Sequence, residues 1–474
     1  MRSPYFPARS VLFRKEPNGV TYRVPALLYL TRSSSFLAFC EERLSPSDSE
    51  AHLLVMRKGT FYRNYVEWED MRVLGTAFLP GHRSMNPCPV YDEFTGTLFL
   101  FFIAVLGHTP EAYQLVTGKN VTRLCFISST DNGDTWSPVT DLTQRVIGET
   151  IKEWATFALG PGHGIQLKSG RLLVPAYAYH IDCKECFGKF CQTTSHAFCF
   201  HSDTHGRTWR FGEAVPGPES VECQMVSVDE EDGTNVLYCN ARSPLGYRVQ
   251  ALSLDDGAAF QEGQLVQRLV EPRNGCHGSI VGFPAPLHSN QSLSQHLQKP
   301  HRSRHWASFI SNPITPPPNT TLLSPTQSPS PNFLTPTWVI YSHPTWTTAR
   351  KDLGVFLSLF PRDPDSWRGP WVIYEGPSAY SDLAYLELPS PPGAPPAVAF
   401  ACLFECGTST AYDEICFSIF TLFELIDNLP GNVQQEHDGD GCQTQKSEKS
   451  ETRRHDASVS YQGKRKKKKM CSVS

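Results

Sequence analysis

Apolar residues along this chain come in short runs separated by turn-forming clusters, with no long helical period among them. Runs such as RLLVPAYAY (171–179), NVLYCNA (235–241), WVIYSHP (338–344), GVFLSLF (354–360), AVAFACLFE (397–405) and EICFSIFTLFEL (414–425) are rich in β-branched and aromatic residues, which predicts strands. The longest apolar run, TLFLFFIAVL (97–106), is half what a membrane-spanning helix needs and reads as a buried strand. One turn pattern recurs. SSTDNGDTW (128–136), HSDTHGRTW (201–209) and LSLDDGAAF (252–260) repeat Ser, then Asp or Thr, then Gly, then an aromatic at fixed offsets. Asp131 is placed to accept backbone N–H groups, Gly133 to take a positive φ, and Trp136 to pack as the next strand begins. Recurrence at such intervals marks a repeated supersecondary unit, so each copy is expected to close a hairpin in one blade-like sheet. The expected class is all-β, with a propeller favoured over a sandwich or barrel.

Two segments depart from the pattern. Residues 284–336, containing NPITPPPNTTLLSPTQSPSP, are too rich in Pro, Ser, Thr and Gln to bury a core, and are expected to form a disordered insertion between blades. From residue 429 the chain turns polar and aromatic-poor. The expected organisation is a β body over 1–428 and a disordered tail over 429–474.

Composition works by exclusion. The 474 residues carry a net charge of −4, and without the six basic residues Lys464–Lys469 it falls to −10. The body is therefore no nucleic-acid binder on charge grounds. MRSPYFPARS lacks the apolar stretch of a secretory leader. Fifteen Cys, an odd number without regular spacing, predict a reducing compartment and free, mostly buried thiols.

Three arginines stand out against this background. Arg23 in TYRVPALLYL, Arg242 in YCNARSPL and Arg350 in TTARKDLG occupy strand-like surroundings, where an unpaired buried guanidinium is costly. Each either pairs with a carboxylate as scaffold or serves a site. Tyr380 in SAYSDLAYL, Glu222 in SVECQMV, and Glu41, Arg43 and Asp48 in FCEERLSPSDSEAHLLV carry the same two readings.

The motifs YRVPALLYL, GHRSMNPCP, EWATFALGPGHGIQL, LLVPAYAY, VECQ, NARS, HPTWTTARKDLG and AYSDL resemble those of the animal exo-α-sialidase (neuraminidase) family, most of all its membrane-associated, ganglioside-preferring type. The resemblance runs from about Leu12 to Leu425. It implies a six-bladed β-propeller, with the recurrent turn as the family's Asp box. It also implies hydrolysis of terminal sialic acids on gangliosides and glycoproteins, with no metal and no cofactor.

Residue by residue, Arg23, Arg242 and Arg350 match the triad that grips the sugar carboxylate, a task suited to the guanidinium fork. Glu405 matches the acid that holds the first of them. Tyr380 matches the nucleophile and Glu222 its general base; an uncharged phenol escapes the repulsion that the sugar's carboxylate exerts on an anion. Asp48 matches the acid/base on a mobile loop, with a raised pKa expected on closure. Glu41, Arg43, Met85, Asn86, Glu111, Tyr177 and Tyr179 match positions around the N-acyl and glycerol arms. Double displacement implies retention of configuration. A sialic-acid-binding propeller without turnover is the rival reading; it would not need Tyr380, Glu222 and Asp48 together.

His277 stands where the family usually has Gln. It is either a neutral hydrogen-bonding exchange or a change of pH profile, and the former is favoured. Cys183, Cys186, Cys191 and Cys199 with His180 and His196 could suggest zinc, but the second half lacks a matching CxxC, so no metal is expected. The terminus GKRKKKKMCSVS joins a basic run to Cys471 in an imperfect C-a-a-X box. Prenylation plus basic residues would hold the protein at an anionic membrane surface, plasma membrane or endomembrane, facing the cytoplasm. A nuclear address and a plain solvated tail remain the alternatives.

Overall fold

The computed structural model describes residues 5–62, 65–186, 190–286, 335–389 and 396–430. Residues 287–334, and the tail from 431 with Lys464–Lys469 and Cys471, lie outside them. The described residues form five hydrogen-bonded sheets. Strands follow in chain order as antiparallel meanders: Thr21–Leu30, Ser35–Arg43 and Ala51–Tyr62 pair in succession. So do His82–Asp92, Thr97–Leu106 and Thr122–Ser129, and likewise Cys223–Asp229, Asn235–Ala241 and Tyr247–Ser253. No helix among them is long and apolar enough to cross a membrane.

Six sheets were implied and five are found. The largest has seven strands because its long strand Arg368–Leu388 serves two neighbours. Residues up to Pro377 pair with Lys351–Ser358, and those from Ser378 onward pair with Ala397–Cys406.

The arrangement is propeller-like, and the first and last strands of the described residues pair to close it. Arg9–Arg14 pairs with Glu414–Thr421. On the inner side, the Leu27 N–H donates to Asp382 Oδ2 at 2.7 Å. Apolar clusters fill the space between adjacent sheets. Phe36 and Cys40 pack with Leu403 and Phe417, while Leu37 and Phe39 pack with Leu100, Phe102 and Ile127. Each such buried side chain contributes about 1.5–3 kcal/mol.

Each of the three recurrent turns joins the last two strands of its sheet. In the first, Thr135 N–H and Oγ1–H donate to Asp131, and Gly133 N–H donates to Ser129 Oγ at 2.9 Å. Asn132 and Gly133 are both left-handed. The second turn keeps this geometry without the carboxylate: Thr204 Oγ1 accepts the Thr208 N–H at 2.8 Å.

Two expectations need correction. Strands Ser279–Pro284 and Thr337–Pro344, which flank the Pro/Ser-rich segment, are antiparallel partners. The insertion therefore sits within one sheet, not between two. Free thiols also fail at one position: Cys183 is disulfide-bonded, which removes its thiolate as a zinc ligand. Ten other described cysteines are free, and all ten are buried.

Candidate active site

A cavity of about 520 Å³ opens where the inner strands of the sheets converge. It receives Arg23, Arg43, Asp48, Met85, Asn86, Glu111, Tyr177, Tyr179, Glu222, Arg242, Arg350 and Tyr380, drawn from across the sequence. Local backbone irregularity aims several of them. Strand register shifts between Arg23 and Ala26, between Met85 and Cys88, and between Ser378 and Ser381, beside Tyr380. Such bulges redirect side chains at sheet ends. Val24 sits at φ 60°, which costs a β-branched residue about 1–3 kcal/mol. Its N–H is held by Glu405 Oε1 at 2.9 Å.

Glu405 is fully buried and anchors three groups at once. Arg23 Nε donates to Oε1 at 2.7 Å, and the Tyr380 N–H donates to Oε2 at 3.1 Å; the Val24 contact is the third. The guanidinium of Arg23 also lies 3.9 Å from the centre of the Tyr412 ring.

The three arginines converge on Tyr380. Arg23 and Arg350 stand 5.5 and 5.2 Å from its ring centre, and Arg242 Nη1 donates to its hydroxyl at 3.2 Å. Arg350 is oriented by the Gly275 carbonyl and by Tyr412 Oη at 3.3 Å. Arg242 also donates to Glu222 at 2.8 Å and to the Asn274 carbonyl. The Tyr380 hydroxyl donates to Glu222 Oε1.

Electrostatics assigns the proton within that last contact. Burial and then the Glu222 charge push the Tyr380 phenol well above its ordinary pKa, so it is neutral. Burial acts on Glu222 in the same upward sense, but Arg242, His277 and the Tyr380 hydrogen bond outweigh it and hold the carboxyl below its usual range. A neutral phenol thus faces an ionised acceptor.

Asp48 is held in its charged form here. Its side chain is 74% exposed and paired with Arg43. Protein crowding around its carboxyl strips some water and acts upward in spite of that exposure, yet the Arg43 and Arg23 charges win and hold it below the ordinary value. The rise expected on closure belongs to an arrangement in which Asp48 has parted from Arg43. Arg43 is shared with buried Glu41 at 2.6 Å, and Glu41 in turn accepts the Asn86 N–H at 2.7 Å. Glu111 keeps part of its side chain in solvent, but burial of its carboxyl and then the Glu222 and Asp48 charges push it up to about 7.

His277 does not line the cavity. It is fully buried behind Tyr380, ring centres 5.4 Å apart, and neither ring nitrogen has a hydrogen-bond partner among the described residues. Burial pushes its pKa down to about 4 despite the Glu222 charge, so it is neutral near pH 7.

Sequence reading missed three members of this setting. Arg83 lines the cavity and ties the Gly107 and Thr109 carbonyls, both at 2.7 Å. It sits in GHRSMNPCP as an arginine on an apolar strand, the signal that singled out the other three. Tyr412 lies in a turn and gave no such signal. Asp382, in AYSDL, is buried beneath the site and accepts from His163 Nδ1 and Ser279 Oγ, each at 2.7 Å.

Comparison with known proteins places this geometry. The family described as "BNR repeat-like domain" matches residues 34–388. The chain is 49% identical to mouse (Mus musculus) Sialidase-4 over 90% of its length and 96% of that protein. It is 43% identical to human (Homo sapiens) Sialidase-3 over 89% of its length and 94% of that protein. The chain belongs to the animal sialidase family. As a sialidase it is a glycoside hydrolase, an exo-sialidase. Among solved structures, the Hadza microbial sialidase Hz136 overlays with a TM-score of 0.61, covering 86% of this chain and 67% of that one. At 21% identity that match speaks for the sialidase fold alone.

Proposed function

We propose that this sialidase removes terminal sialic acids with retention of configuration, through Tyr380 as nucleophile, Glu222 as its base and Asp48 as acid/base. The observation that carries the reading is the Tyr380 hydroxyl, neutral, bonded to ionised Glu222 and surrounded by three guanidinium groups. Arg23, Arg242 and Arg350 bind the sugar's carboxylate, which fixes the anomeric carbon over the phenol. As Tyr380 attacks, its proton passes to Glu222, so negative charge on the oxygen develops only in the transition state, beside Arg242. Asp48 must gain a proton to assist the leaving group. Its exposure and position after the strand Ser35–Arg43 let it part from Arg43 as the aglycone enters. Water then releases the sugar from Tyr380. A Tyr nucleophile sets sialidases apart from two-carboxylate glycosidases.

The substrates in this reading are sialylated glycolipids, gangliosides first, and sialylated glycoproteins. The seven-stranded sheet counts as two blades sharing the strand Arg368–Leu388, which makes the propeller six-bladed. The tail, with its basic run and Cys471, anchors the protein on an anionic membrane from the cytoplasmic side.

The test is hydrolysis of a fluorogenic sialoside and, separately, of a ganglioside by purified protein. Tyr380→Phe and Glu222→Gln are expected to lose activity, the latter by about 10²–10⁴-fold. A fluorinated sialoside that traps the glycosyl-enzyme should label native protein on Tyr380. Labelling of another residue, or turnover by Tyr380→Phe at the native rate, refutes the assignment. Imaging Cys471→Ser tests the anchor, and membrane retention unchanged by that substitution removes it.

A further inference from the structure

Cys406 and Cys416 take no part in the chemistry above, yet their sulfurs are 2.9 Å apart. Both are free and buried. They lie on antiparallel neighbours, with Cys406 opposite Glu414 and Cys416 opposite Phe404, so they meet diagonally on one face of the sheet. The turn between their strands, residues 407–413, reaches the catalytic cavity through Tyr412, which stacks on Arg23 and bonds Arg350. Glu405, the residue before Cys406, holds Arg23 and the Tyr380 amide. The pair therefore sits at the base of a hairpin that carries part of the site.

We propose that Cys406 and Cys416 form a modification site, a dithiol that a peroxide converts reversibly into a disulfide across the base of this hairpin. A metal ion would use the pair less well. Two thiolates about 2.3 Å from a tetrahedral zinc stand roughly 3.8 Å apart, farther than these sulfurs. The nearest third ligand, Glu414, is already paired with Arg14 at 3.0 Å. A disulfide needs only the two sulfurs, brought to about 2.05 Å.

The reaction balances in two steps. One sulfur, as thiolate, attacks a peroxide oxygen; the O–O bond breaks, giving a sulfenic acid and, with the thiol's proton, water. The second sulfur attacks the sulfenic sulfur, the S–O bond breaks, and a second water leaves. The sulfurs lose two electrons and the peroxide gains them. The Cys416 hydrogen bond, and then burial, hold the Cys406 thiol well above its ordinary pKa, so reaction waits on opening of the hairpin. The exposed residues 408–410 at its tip make that opening local. Closing the bond draws Cys406 toward Cys416 and shifts Glu405, disturbing Arg23 and Tyr380 together.

The full chain is treated with hydrogen peroxide, alkylated and digested after Glu. A peptide joining the Cys406 and Cys416 segments is expected, lost on adding dithiothreitol. Sialoside hydrolysis should fall by at least about twofold in step with it and recover on reduction. Cys416→Ser should keep its rate under the same peroxide. Recovery of both cysteines as separate alkylated peptides overturns the proposal, as does a linked peptide that leaves the native rate untouched. If Cys416→Ser does not fold, the native peptide and its reversal decide alone. Because the link is read by mass, its absence is distinct from any failure of the sialidase mechanism.

Discussion

Glu405 accepts from Arg23 on both oxygens and from the amide of Tyr380 on Oε2, so one buried acid sets the distance between a guanidinium and the phenol. Breaking such a pair by Glu405→Ala is expected to cost about 3–5 kcal/mol of stability, because Arg23 would be left buried and unpaired; urea unfolding measures it. His277 works differently. It is buried against Tyr380 and lies near Glu222, Arg248, Asp382 and His343. Its folded pKa of about 4 is below its ordinary 6.5, so in that window the unfolded chain binds more protons here and stability falls as the pH drops. His277→Gln removes this loss. Its gain over the native protein, nil at pH 7, should approach at most ~3 kcal/mol near pH 4, read from urea midpoints at the two pH values. Above about pH 5 the pH–rate curves of the two proteins should superimpose, since His277 is then uncharged in both reaction and rest. Arginines and acids in apolar strands are costly without a purpose, which singled out Arg23, Arg242, Arg350 and Glu222 but left scaffold and site both open; the family resemblance decided between them and supplied the other site residues. The depression of Asp48 was not legible, for it depends on Arg43 reaching back across a turn to meet it.

At the scale of elements, regular strands build the sheets and irregular ones build the site. The shifts beside Arg23, Met85 and Tyr380 fall at the ends that face the cavity. Alternating apolar runs announce strands but say nothing of where a residue is added, so these bulges could not be read in advance. The recurrent turns could, because their Ser, Gly and aromatic positions answer to local hydrogen bonds and packing. Thr204 supplies by a hydroxyl what Asp131 supplies by a carboxylate. Gly206 shows how tightly the turn packs: a Cβ there would meet Phe99 Cζ at 2.2 Å, and φ is +79°. Gly206→Ala should therefore cost about 1–3 kcal/mol in a thermal melt. The folded fraction should keep its specific activity, since the turn does not line the catalytic cavity.

Over the whole molecule, closure rather than any single sheet holds the site together, because its residues come from strands as distant as Thr21–Leu30 and Arg368–Leu388. The sequence pattern showed the repeated sheets but misjudged where the Pro/Ser-rich segment falls. Composition marks a segment as unable to form a core, whereas only pairing shows that its two flanks are hydrogen-bonded neighbours. Val281 faces Ile340 and Phe283 faces Trp338 across them. A loop between paired strands adds closure entropy that grows slowly with length, about 0.6 kcal/mol per doubling. Replacing 287–334 by a short Gly/Ser turn should thus preserve the fold and raise stability by roughly 1–2 kcal/mol. Hydrolysis of a soluble sialoside should stay within about twofold of native, since neither flanking strand lines the cavity. A collapse of sialoside turnover in a chain that still melts cooperatively would assign the segment a part in catalysis. Loss for the ganglioside alone would assign it to engaging the lipid surface.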